Sequence, residues 1–175
     1  TVVGALASSW GVSADGLTWT FEIDPKATFA DGTPVKPADV KATLERVAAR
    51  GDASVPGVRL AAIVGYDEFV AKRTKDLAGI VAGSTTVQIR LAAPFAALAE
   101  LLADPVFGVV SATDAAAPSF PRTPRTSGAF ALTGRTDTQL SLTRTAGARA
   151  SLDAVELRAY PDADAAYAAF GRGDL

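Results

Sequence analysis

The sequence predicts an α/β mixed (α+β) fold, a mixed sheet with flanking helices, and two patterns carry that expectation. Apolar residues alternate with polar ones from Leu17 to Ile23 and from Thr86 to Leu91, the period-2 signature of half-buried strands. Val40, Leu44 and Val47 instead recur at helical spacing, with Lys41, Glu45 and Arg46 off the stripe. Strands are not each followed by a helix, which argues against a doubly wound parallel sheet.

Taken in order, Leu17, Trp19, Phe21 and Ile23 share the inward face of the first clear strand. Asp31-Gly32 then supplies a tight turn, since glycine accepts a positive φ and aspartate can bond its own downstream backbone. Pro34 keeps Thr33 extended. Pro37 fits a first helical position, where the missing N–H is no loss, and Asp39 sets a carboxylate against the helix dipole. These signals predict a helix over 37–50. Further helices are expected around 58–73, at 94–103 and at 162–171. The last has Asp162 or Asp164 as its N-cap and Gly171 or Gly173 at its end. Between them Val87, Ile89 and Leu91 mark a strand, and Val155, Leu157 and Ala159 another that Pro161 closes. Phe130 and Leu132 with Leu140 and Leu142 flank a Thr133–Asp137 turn, a hairpin pattern. The Pro-rich stretch Pro121–Thr126 reads as an extended connector.

Composition excludes several classes of function. Hydrophobic residues at 49% with 21% charged describe a globular chain, not a disordered one. A net charge of −2 is too small to steer the chain to nucleic acid or an anionic membrane, so no nucleic-acid partner is expected. Cysteine and histidine are both absent. That removes a disulfide framework, a zinc cluster, a thiol nucleophile and the usual general base at neutral pH. Neither S-x-x-K, G-x-S-x-G nor a Gly-rich phosphate loop occurs, so no catalytic residue, metal site or cofactor is assigned. Asp162 and Asp164 could form a metal pair, but carboxylates at a helix start more often compensate its dipole. Arg172-Gly173-Asp174 spells a tripeptide known from integrin ligands, yet its place after a predicted helix favours a C-cap. The chain holds no apolar run long enough to span a bilayer and no signal-peptide pattern.

Phe29-Ala-Asp-Gly-Thr-Pro-Val-Lys-Pro-Ala-Asp-Val40 resembles the F-x-D-G-T-P-V-x-x-x-D-V signature of the family 5 extracellular solute-binding proteins. Those are the dipeptide-, oligopeptide- and nickel-binding receptors of bacterial ABC importers. Leu6–Trp10 and Val12–Ile23 are similar to the family's L-A-x-S-W and S-x-D-G-x-x-[YW]-T-F runs. Ser127–Leu132 resembles its S-G-P-[YF] strand, and Ala165–Asp174 its helix ending in G-E-[LI]-D. The boxes fall in the family's order along almost the whole chain. Leu140–Arg149 keeps the strand that follows, with Arg144, but loses the family's N-P-x-Y-W.

The resemblance implies a non-enzymatic receptor that closes on a peptide or small solute in an interlobe cleft and delivers it to an ABC permease in the membrane. It implies an N-terminal portion of such a receptor, with 1–120 as the outer subdomain of a lobe and 121–175 as the start of the core ligand-binding lobe. It implies an extracytoplasmic location, in the periplasm or at the cell surface, and a lipid anchor, common in the family, would lie in a segment upstream of Thr1. By position in the family pattern, Asp104 and Phe107 reach toward the ligand, while Ser127 and Gly128 open the strand on the hinge side. The alternative is a standalone protein-interaction module derived from a solute-binding lobe, without transport function, using its unpaired cleft face.

Overall fold

A computed structural model describes Val2–Arg50, Arg59–Pro118, Arg122, Pro124–Ala146, Ala148 and Ala150–Asp174. The chain forms two compact units that divide between Gly128 and Ala129.

The first unit is built on a four-stranded antiparallel sheet of order β1-β2-β4-β3, with β1 Ala7–Val12, β2 Thr18–Ile23, β3 Ile80–Ala82 and β4 Thr86–Arg90. Alternation fixes its register: Trp19 lies opposite Ile89 and Phe21 opposite Val87, so the apolar set of both strands faces one side. That face carries the core, in which Val87, Ile89, Leu77, Leu60 and Ile80 are almost wholly buried. Burial of each such aliphatic side chain contributes about 1.5–3 kcal/mol.

Helix α1, Pro37–Ala48, covers the core with Leu44 and Ala48, and Val40 and Val47 pack at its margin. It starts at Pro37 as expected and stops two residues before position 50. Asp39 does more than oppose the helix dipole. Its buried carboxylate accepts the Lys36 N–H (2.7 Å) and, from far along the chain, the Ala112 N–H (2.7 Å). One helical turn on, buried Thr43 Oγ1 accepts the Val110 N–H (3.1 Å) and donates to the Val110 carbonyl (3.3 Å). The helix is thus tied by side chains to the 110–112 backbone.

Two expected helices are much shorter than the sequence suggests. Of the segment around 58–73, whose first residue lies outside the described ones, only α2, Tyr66–Val70, is helical. The reason is competition for backbone groups. Ile63 bridges Leu91, the Val64 N–H donates to the Arg90 carbonyl, and the Val64 carbonyl accepts the Gly79 N–H. Gly65 then turns the chain at φ +83. Residues engaged with a sheet cannot also make helical bonds. Likewise the 94–103 helix contracts to α3, Leu98–Leu102, which opens with the Leu101 N–H donating to the Ala97 carbonyl (2.9 Å). A 3₁₀ turn, Pro105–Phe107, follows. Then comes α4, Ala112–Ala116, which the sequence patterns did not suggest.

The Asp31-Gly32 turn has the anticipated chemistry. Gly32 sits at φ +82, and Asp31 Oδ1 accepts both the Thr33 N–H (2.9 Å) and the Thr33 hydroxyl (2.6 Å). A Cβ at Gly32 would meet nothing, so the cost of Gly32→Ala is conformational alone, about 1 kcal/mol by urea melting. Asp31→Ala should also destabilise. The Thr33 hydroxyl and N–H, then Arg125, hold the Asp31 carboxyl below its usual range. Because the native value is lowered, this contribution is complete above the ordinary Asp range and fades as pH falls through the native value. Melts at pH 7 and pH 2.5 should therefore show a smaller Asp31→Ala effect at the lower pH.

The second unit is a three-stranded antiparallel sheet of order β5-β6-β7, with β5 Phe130–Arg135, β6 Gln139–Arg144 and β7 Ala154–Arg158. The hairpin turn falls at 136–138, because the strands run on past a register shift between Leu132 and Gly134. Helix α5, Ala163–Gly171, is capped by Asp162, whose Oδ1 accepts the Ala165 N–H (2.7 Å). Its end is a Schellman closure: Gly173 at φ +77 donates to Phe170 (3.0 Å) and Asp174 donates to Ala169 (3.0 Å). Asp162 is a cap, and Arg172-Gly173-Asp174 is a helix stop. Every described ladder in both units is antiparallel, and the α+β class stands.

Candidate functional site

A cavity of about 830 Å³ lies in the first unit over the inward face of its sheet. Phe21 and Ile23 of β2 and Val87 and Ile89 of β4 line it. Leu102 and Phe107 border it, as do Leu6 and Trp10 near the start of the chain. The same alternation that builds the core therefore also surfaces the cavity.

Asp104, Phe107, Ser127 and Gly128 all contribute to this lining. The 3₁₀ turn places the first pair. Asp104 Oδ1 caps it by accepting the Val106 N–H (3.0 Å), and Pro105 fits its first position. The other carboxylate oxygen pairs with Arg59 (2.9 Å). The Val106 N–H, and then Arg59, hold the Asp104 carboxyl below the usual range. Phe107 is 4% exposed and joins the core cluster, so only part of its ring meets the cavity. Ser127 donates to the Val109 carbonyl (3.2 Å), which ties the segment before Gly128 to the far wall.

The chemistry available is that of an apolar recess with a polar rim. Asp104 is the one charged residue among the described residues that line it, and its carboxylate is engaged by Val106 and Arg59. Among the described residues no group of three or more acidic, His or Cys side chains could hold a metal. Nor is any described helix long and apolar enough to cross a membrane.

Sequence reasoning missed Trp10, Leu102, Val109 and Thr126 as lining residues, and Arg59 as the partner of Asp104. The inward phase of β2 and β4 could have indicated the cavity floor. Nothing in the spacing could have joined Arg59 to Asp104, because that pairing depends on how the intervening strands fold back.

Comparisons with known proteins agree with this architecture. A 46-residue stretch, 26% of the chain, is 52% identical to the probable D,D-dipeptide-binding periplasmic protein DdpA of Escherichia coli K12 and spans 9% of that protein. Over 106 residues, 61% of the chain, it is 35% identical to the glutathione-binding protein GsiB of the same strain, spanning 18% of it. The fold matches OppA of Burkholderia pseudomallei with a TM-score of 0.84 at 21% identity, over 100% of this chain and 37% of that one. The chain thus corresponds to little more than a third of that structure. Residues 1–175 match the family described as Bacterial extracellular solute-binding proteins, family 5 Middle, and the chain belongs to that family.

Proposed function

We propose that the chain is part of the substrate-binding component of an ABC importer, which captures a peptide or similar small solute and delivers it to a membrane permease. The observation that carries this reading is the convergence of Asp104, Phe107, Ser127 and Gly128 on one apolar cavity in a chain of this family. Relatives named for a D,D-dipeptide and for glutathione favour a short peptide as ligand. In this reading residues 1–120 act as the outer subdomain of a lobe and 121–175 begin the core ligand-binding lobe. Function is capture and release without chemistry, in an extracytoplasmic setting.

Binding should depend on a second lobe. Residues 1–175 offer one wall, so a ligand there loses about half its contacts and the closure that desolvates it. We expect calorimetry to show a dipeptide or glutathione binding residues 1–175 no better than about millimolar. A full-length gene product that contains these residues should bind one of them at about micromolar strength. Micromolar binding by residues 1–175 alone would reject the shared wall, and no binding by the full-length product would reject the receptor reading. The alternative, a protein-interaction module, draws support from Tyr167 and Phe170, which share one face of α5 and are 78% and 67% exposed. A reading frame that continues past Leu175 by a further domain favours the receptor.

A further inference from the structure

The family signature at 29–40 contributes no side chain to the cavity apart from Val40, yet several of its groups bond to the segments that form the cavity wall. The Ala30 N–H donates to the Thr126 carbonyl (2.9 Å). Asp31 uses Oδ1 on Thr33, which leaves Oδ2 facing Arg125 at 3.8 Å. Arg125 is held again from α4. Its backbone N–H donates to Asp114 Oδ2 (2.8 Å), and its guanidinium lies 3.6 Å from the same oxygen. Asp114 is itself placed by the helix cap, since its N–H donates to Ser111 Oγ (3.2 Å). Beyond Arg125, Thr126 bridges Val110 and Ser127 bonds Val109.

We infer that Arg125, clamped between Asp31 and Asp114, is a positioning residue that latches the Thr126–Gly128 wall of the cavity to the signature turn. Two carboxylates from elements far apart in sequence converge on one guanidinium, whose planar fork can serve both at once. The Asp114 side chain is only 17% exposed, so Arg125 also compensates a carboxylate that water reaches poorly. Arg125 itself is 40% exposed, and exposed pairs contribute little to global stability. The latch therefore orders one strip of backbone and leaves the core as it is. Its importance for ligand capture rests on the proposed reading of the cavity.

Amide hydrogen exchange on residues 1–175 tests this without any ligand. In Arg125→Gln, the amides of Ala30 and residue 125 should exchange about fivefold faster, while those of Val87 and Ile89 in the central strand stay within about twofold. Arg125→Lys keeps the charge and should recover at least half of the lost protection. Asp114→Asn, altered from the other side of the pair, should reproduce the acceleration at residue 125. Unchanged exchange at Ala30 in Arg125→Gln overturns the latch. So does equal acceleration at Val87 and Ile89, which would mark a global effect on stability. A full-length gene product that fails to bind peptide, beside residues 1–175 that show the selective, lysine-rescued change, would refute the receptor reading and leave the latch standing.

Discussion

Trp19→Ala should lower the stability of the chain by about 3–5 kcal/mol, the range for removing a large aromatic side chain from a packed core. The indole is 7% exposed and shares the inward face of β2 with Phe21 and Ile23. Its ring stacks near Phe21, with centroids 6.1 Å apart and planes inclined by 16°. Across the ladder it faces Ile89, which is 1% exposed, so no solvent would relax into the space left behind. Trp19→Phe should cost much less. The buried Nε1 has no hydrogen-bond partner among the described residues, so the indole N–H contributes no bond that phenylalanine would forfeit. Urea melts of both variants are the measurement. An unchanged midpoint for Trp19→Ala would show that the ring does not build the core.

Gly79→Ala should cost about 3 kcal/mol or more, the upper end of overpacking penalties. A Cβ at Gly79 would lie 2.6 Å from Ile63 Cγ2, 2.8 Å from the Arg90 carbonyl oxygen and 2.8 Å from the Val64 carbonyl oxygen. Two of these are backbone atoms already in use. The Arg90 carbonyl accepts the Val64 N–H (2.9 Å), and the Val64 carbonyl accepts the Gly79 N–H (2.8 Å). Moving either oxygen aside therefore breaks the local ladder as well as the packing. Gly11→Ala is the control, because a Cβ there meets nothing within 4 Å and a strand position prefers alanine to glycine. If the two variants melted alike, the close approach of Gly79 to its neighbours would be wrong.

These two sites show where local reading works and where it stops. Trp19 was legible, because a period of two along 17–23 assigns one face of a strand and burial follows from it. The turn at Asp31-Gly32, the start of α1 at Pro37 and the cap at Asp162 were legible for the same reason: each is decided by bonds within a few residues. Gly79 was silent, since its constraint comes from Ile63, Val64 and Arg90. The 58–73 segment misled outright: its apolar residues fit a helix, but the sheet edge took the backbone groups a helix needs.

The sequence by itself determined the α+β class, the family likeness, the strand faces and the caps, because periodicity and short-range hydrogen bonding are properties of neighbouring residues. Only the tertiary structure decided that Asp39 and Thr43 anchor the 110–112 backbone, that Arg59 holds Asp104, and that Arg125 sits between Asp31 and Asp114. All of those contacts but the one between Asp114 and Arg125 join residues separated by long stretches of chain. Their partners are chosen by how β2 and β4 come to lie side by side and how α1 then covers them, which no spacing along the sequence records.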